Sequence, residues 1–133
     1  RLITIEHPPQ YSLKAVFRVK SGPGFLVRIA ATDSNAVDFM VDTDNPRSVG
    51  LWISAAGKVN KTIPAEKRLE REKWYELFAS VRPGVITLRC ADIRLSTPNV
   101  LPAWSRRSCI GVLVRAESEV ELRDVILEAL HRQ

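Results

Sequence analysis

The amino-acid sequence predicts an all-β protein, a two-sheet antiparallel β-sandwich of about ten strands. Three observations carry the expectation. The dominant apolar period is two: Tyr11, Leu13, Ala15, Phe17 and Val19 alternate with Ser12, Lys14, Val16, Arg18 and Lys20. Such alternation sends one set of side chains to a buried face and the other to water. Turn-forming residues recur between the apolar runs at a spacing of roughly 8–12 residues. Helices between the strands, which a parallel α/β fold needs, are missing from the pattern. The 133 residues, 45% hydrophobic and 26% charged, suit a single domain with one core, and no internal repeat or low-complexity segment divides residues 1–133.

The elements follow in order. Ser21-Gly22-Pro23-Gly24 ends the first long strand with both turn-forming residue types. A second strand runs from Phe25 to Ala31, and the short connection predicts a hairpin between the two. Thr32-Asp33-Ser34-Asn35 is the next turn. Strands at Ala36–Asp42 and Val49–Ser54 flank Thr43–Ser48, and Ala55-Ala56-Gly57 leads into a short strand over Lys58–Ile63. Residues Pro64 to Lys73 are the one stretch suited to a helical turn. Trp74 to Arg82 alternates again, with Tyr75, Leu77, Ala79 and Val81 on one side. Pro83-Gly84 turns into the strand Val85–Cys90. Ala91-Asp92, a two-residue turn without the glycine such turns favour, joins it to Ile93–Thr97. Ser96–Ser108, with Pro98, Pro102 and Trp104, reads as a long loop before the last two strands, Ser108–Arg115 and Glu119–Leu130.

The net charge of +5 is spread along the chain, and its densest cluster, Lys67–Lys73, is interleaved with Glu70 and Glu72. A solvated surface is the expectation there, not a nucleic-acid stripe. No apolar run approaches the roughly 18 residues of a membrane-spanning helix, and no membrane span is expected. No secretory-type apolar segment follows Arg1. The chain does not begin with Met, so it reads as a domain excised from a longer protein, with its compartment left open. Cys90 and Cys109 lack metal-ligand spacing. Each lies in a strand-like stretch where cysteine packs as a small hydrophobe, and a disulfide between them is open if their strands are adjacent.

Catalytic chemistry finds little support. Paired-carboxylate catalysis needs two acids converging on one bond, whereas the acidic run Glu117–Glu121 reads as an exposed turn and strand edge. His7 and His131 stand at opposite ends of the chain, with no marked nucleophile for a triad and no ligand set for zinc. Ser21–Gly24 lacks the lysine and helix of a phosphate-binding loop. Asp42-Thr43-Asp44-Asn45 offers oxygens that suit Ca²⁺, and the competing reading is a turn held by Asp and Asn side chains. No other cofactor is expected.

Binding residues are better represented. Asp38 and Asp42 share one strand face, and Arg28 on the preceding strand is placed to pair with one of them. Arg28 and Asp42 are therefore candidates for a polar ligand groove; the competing reading is a cross-strand ion pair on the outer face. Trp52 faces opposite to Leu51 and Ile53, outward if those two are core. Trp104 lies in the Pro-containing loop at a candidate rim. Exposed aromatics combine contact area with a polar tip, which makes Trp52 and Trp104 candidate ligand platforms. Trp74 reads as core, packed between the sheets.

Some stretches carry a family likeness. Val120-Glu121-Leu122-Arg123-Asp124-Val125-Ile126-Leu127 places Arg123 and Asp124 between apolar pairs, and Ile110-Gly111-Val112-Leu113 precedes it. Trp74 opens an alternating strand, Gly24-Phe25-Leu26-Val27-Arg28 joins a glycine, an apolar run and an arginine, and Asp42 and Gly50 follow. These stretches resemble the 3-keto-disaccharide hydrolase-like branch of the concanavalin-A-like, laminin-G-like jelly rolls. The resemblance implies a jelly-roll sandwich with Arg28 in a groove. The sequence departs from that family at Gly22-Pro23 where Asn-Ser is usual, at Val37 and Phe39 where Glu and Gln are usual, and at Ala91-Asp92 where Asp-Gly or Asn-Gly is usual. It also lacks the Glu-x-Asp-x-x-Glu strand of related sandwich glucanases. With these polar groups lost, the expected function is a non-catalytic carbohydrate-binding or interaction module, with a glycan or a neighbouring protein domain as partner. The alternatives are a divergent glycoside-processing hydrolase and a structural spacer, the latter marked by a large apolar surface patch.

Overall fold

The computed structural model describes residues 2–6, 10–32, 34–98 and 107–130, with the backbone alone described at 2–6 and 107–109. The strands are β1 (Leu2–Glu6), β2 (Tyr11–Ser21), β3 (Gly24–Ala31), β4 (Asn35–Asp42), β5 (Gly50–Ala55), β6 (Lys58–Pro64), β7 (Tyr75–Arg82), β8 (Val85–Cys90), β9 (Ile93–Pro98), β10 (Arg107–Val114) and β11 (Glu119–Ala129). Six of them form one sheet in the order β1-β10-β3-β4-β5-β6, and five form the other in the order β11-β2-β7-β8-β9. Every neighbouring pair is antiparallel. The two sheets face each other across one core, so the molecule is the β-sandwich that the period-two alternation predicts.

The alternation maps directly onto the core. Tyr11, Leu13, Ala15, Phe17 and Val19 of β2 are buried, as are Phe25, Val27 and Ile29 of β3, and Leu77, Ala79 and Val81 of β7. Phe17 and Phe25 meet edge to face with ring centroids 4.9 Å apart, a favoured geometry for aromatic pairs. That contact spans the two sheets, and it corrects the expected hairpin between β2 and β3. β2 pairs with β7 and β11, whereas β3 pairs with β4 and β10. Ser21–Gly24 crosses from one sheet to the other. The apolar faces of the two strands meet across the core.

A second tie between the sheets lies at a β-bulge. The register between β3 and β4 shifts between Arg28 and Ala30, which makes Ile29 the extra residue. The fully buried Tyr11 hydroxyl donates to the Ile29 carbonyl at 2.9 Å. A buried carbonyl needs a partner, and the phenol supplies one from the opposite sheet.

Two further expectations are corrected. Residues 65–73 form no helix; the described chain has one short helical turn, a 3-10 helix over Pro46–Ser48. Leu69 is the only buried residue of 65–73, too little apolar surface to hold a short helix against its nucleation cost. Trp74 is half-buried on the outer face of the five-stranded sheet, not between the sheets. Its neighbour Tyr75 points inward, so the period of two sends Trp74 out. There two guanidinium groups lie over its ring, Arg18 at 4.7 Å and Arg123 at 4.1 Å from the centroid.

The Ala91-Asp92 turn is as expected, with Cys90 opposite Ile93. It holds Ala91 at φ 53°, the left-handed region that glycine adopts more readily. Cys90 is a free, buried thiol, and burial pushes its pKa up to about 12. β8 and β10 belong to different sheets, so Cys90 and Cys109 are not on neighbouring strands of one sheet; the Cys109 side chain lies outside the described residues.

The inter-sheet hydrogen bond yields a prediction. Tyr11→Phe keeps the ring and leaves the Ile29 carbonyl without its phenol, so it should lower unfolding stability by about 1–3 kcal/mol. Urea unfolding measures this, and an unchanged midpoint would contradict the assignment.

Candidate binding site on the six-stranded sheet

The outer face of the six-stranded sheet is built by the residues between the core positions. Antiparallel register aligns them in rows across the strands. Gly111, Arg28, Asp38, Trp52 and Thr62 form one row across β10, β3, β4, β5 and β6. The next row holds Leu113, Leu26, Met40, Gly50 and Pro64. A polar row with an indole thus lies beside an apolar one.

Arg28 and Asp38 make a two-pronged ion pair. Arg28 Nε donates to Asp38 Oδ1 at 2.8 Å, and Nη2 donates to Oδ2 at 3.1 Å. The Asp38 side chain is 4% exposed and that of Arg28 is 28% exposed. A carboxylate so far from water needs such a partner, and the fork of the guanidinium fits it. Part of the Arg28 side chain still reaches the surface. Beyond Asp38 in the row stands Trp52, half-buried, with its indole Nε1–H donating to the Ser48 carbonyl at 3.0 Å. Leu51 and Ile53 point into the core, so Trp52 faces outward as its parity predicts. In the neighbouring row Leu113 is 54% exposed, Leu26 is half-buried and Met40 is nearly covered.

Of the residues singled out in the sequence, Arg28 and Trp52 fall in one row, with Asp38 between them. Asp42 does not join them. It lies four residues along β4, roughly 13 Å away at the usual rise per residue, and pairs with Arg115 at 2.8 Å. Its Oδ1 accepts from the backbone N–H groups of Asp44 and Asn45, both at 2.9 Å. These bonds make a turn held by the Asp42 side chain. Asp44 is paired with Arg71, and the Asn45 side chain accepts from Arg47 N at 3.1 Å. Opposite Asp42 stands Gly24, where a Cβ would meet the Val41 carbonyl oxygen at 2.5 Å; only glycine lets the strands close at this corner. Burial pushes the Asp42 carboxyl up, but the Asn45 N–H, Arg115 and the Asp44 N–H together hold it below the ordinary value of 3.8. Trp104, His7 and His131 lie outside the described residues, and no metal-holding group of three His, Cys, Asp or Glu occurs among the described ones.

The sequence reading did not single out the apolar row or choose Asp38 as the partner of Arg28. Both depend on strand register. The signal available was the parity of Leu26, Met40 and Leu113, each of which faces opposite to neighbours that belong in the core.

Solved structures place this architecture. The chain is similar to a carbohydrate-binding module, CBM66, from Bacillus subtilis, with a TM-score of 0.68 and 12% identity over 96% of this chain and 78% of that one. It is similar to CG-16, a homodimeric agglutinin from chicken liver, with a TM-score of 0.64 and 12% identity over 96% of this chain and all of that one. Galectin LEC-6 from Caenorhabditis elegans matches with a TM-score of 0.65 and 15% identity over 92% and 90%. The chain therefore shares the two-sheet antiparallel β-sandwich fold of these three proteins. No family model matches the sequence, and no curated protein matches it.

The Asp42 corner gives a prediction with a pH signature. A carboxyl held below its unfolded value stabilises the fold above that value, and the contribution is lost as pH falls through the folded one. Asp42→Asn should therefore cost about 1–3 kcal/mol near neutrality, with the gap to the parent narrowing below about pH 4. Thermal melts across that range measure it, and a gap independent of pH would contradict the role.

Proposed function

We propose that this protein is a non-catalytic carbohydrate-binding module whose ligand, a neutral glycan, lies on the outer face of the six-stranded sheet. The observation that carries the reading is the row Arg28–Asp38–Trp52. Sugar rings present apolar C–H faces and hydroxyl edges. The Trp52 indole, held by Ser48, offers a platform for the former. The Arg28 guanidinium, held in place by Asp38, offers donors for the latter, with Leu26, Met40 and Leu113 as an apolar flank. The carbohydrate-binding module and the galectin of like fold support the reading.

A hydrolase on this face is disfavoured by spacing. Glycoside cleavage uses two carboxyl groups roughly 5–9.5 Å apart. Asp38 and Asp42, the acids of this face on β4, stand farther apart along the strand, and each is clamped by an arginine. One observation favours a second reading, an interface with a neighbouring domain. Leu122, Val125 and Leu127 of β11 are large and exposed, and they line a 390 Å³ apolar cavity between the sheets. Such a patch is the sign of an interaction surface.

A glycan array followed by calorimetric titration tests the first reading. Trp52→Ala should weaken binding of the array hit about tenfold, near 1.4 kcal/mol. Arg28→Lys, which keeps the charge but loses the fork, should weaken it as well. An array without a neutral-glycan hit, or a Trp52→Ala variant that binds as the parent does, would move the weight to the interface reading.

A further inference from the structure

The outer face of the five-stranded sheet carries chemistry that the fold does not need. Register aligns Ile126, Lys14, Phe78, Arg89 and Arg94 in one row across β11, β2, β7, β8 and β9. Arg89 and Arg94 stand directly opposite each other, both exposed. Like charges at such positions destabilise a sheet. Among the described residues neither arginine makes an ion pair. The acids nearby are already committed: Glu76 to Lys14 at 3.7 Å, and Asp92 to Lys67 at 2.5 Å.

One of the two cations is also ordered. The Arg89 guanidinium lies 4.7 Å from the Phe78 ring centroid. Stacking occupies the flat face of a guanidinium and fixes its plane, which leaves the N–H edge for a ligand. Opposed residues on neighbouring strands have Cα atoms roughly 4.5–5.5 Å apart, close enough for two guanidinium groups to converge on one oxyanion. Beside this row runs a second one made of hydroxyls: Ser12, Ser80, Thr87 and Ser96 are aligned across β2, β7, β8 and β9, with Ser12 buried, Ser80 bonded to Thr87, and Thr87 and Ser96 exposed. A hollow of 320 Å³ adjoins the cationic row, lined by Lys73, Trp74, Glu76, Phe78, Arg89 and Arg94 among others.

We propose that this face is a binding site for an acidic polysaccharide. Arg89 and Arg94 take its oxyanion, a sulfate ester or a uronate carboxylate, and Thr87 and Ser96 meet the sugar hydroxyls. The site is on the opposite sheet from the Arg28–Asp38–Trp52 row and does not depend on it. A nucleic acid fits less well. Single strands stack their bases on open aromatic faces, whereas here Phe78 carries Arg89, and Trp74 carries Arg18 and Arg123.

Titration with heparin and with polygalacturonate tests the proposal, the first carrying sulfate and the second carboxylate alone, with poly(U) and neutral dextran beside them. The parent should bind at least one acidic polymer, and which one identifies the oxyanion. The double variant Arg89→Ser, Arg94→Ser should bind it at least tenfold more weakly. A charge-matched pair of changes on β6, Lys58→Ser with Lys61→Ser, should have less than a twofold effect, and Trp52→Ala should have none. Arg94→Thr alone should melt no lower than the parent, since it relieves the like-charge pair with a β-branched residue, and should still weaken binding at least threefold. Equal losses in the two double variants would overturn the proposal in favour of diffuse charge attraction. Tighter binding to poly(U), or no binding to either acidic polymer, would overturn it as well.

Discussion

The Ile29 bulge and the Tyr11 hydroxyl that ties it to the opposite sheet set the geometry on which the rest depends. One extra residue in β3 shifts its register against β4 and puts Ile29 and Ala30 both into the core. Arg28 lies immediately before the shift, so its pairing with Asp38 is fixed on the side where the ladder is regular. Bulges strengthen local twist and re-aim neighbouring side chains. The bulged backbone is buried, and Tyr11 reaches across the core to bond it. Core packing and the surface row beside it are thus two consequences of one local irregularity.

From that arrangement follow two outer faces of different chemistry. On the six-stranded face the two acids of β4 are both paired. Asp38 and Asp42 each hold an arginine, and between them lies an apolar strip that includes Leu26 and Met40. The five-stranded face is a cation–aromatic surface, in which arginines cover Trp74 and Phe78 and one pair of arginines faces itself. A β-sandwich needs only its inner faces to fold. The outer faces are where two kinds of recognition fit without disturbing the core, since fold alone assigns no activity.

Much of this was legible in the sequence, and what was not has a physical reason. A period of two found the strands from Tyr11 onward, because alternation is imposed by the pleat itself. The same parity put Trp52 outside. Applied to Trp74 beside the inward Tyr75, it would have put that residue outside too; reading a large aromatic as core overrode the better signal. The choice between Asp38 and Asp42 for Arg28 was not legible, because register here turns on a bulge and Ile29-Ala30 carries no mark of one. Nor was the crossing of Ser21–Gly24 between sheets, since a short Gly-Pro link serves a hairpin and an arch equally well. The Arg89–Arg94 pair was legible once Ala91-Asp92 was taken as a two-residue turn, because residues equidistant from such a turn stand opposite each other.

The central claim is that the Arg28–Asp38–Trp52 row binds a neutral glycan. The most direct test is a ¹⁵N NMR titration of the protein with a neutral oligosaccharide. The account predicts that the Trp52 indole N–H and the amides of Arg28, Asp38 and Gly111 shift together, with one common affinity. Shifts confined to β7, β8 and β9, or none with any neutral glycan, would contradict it.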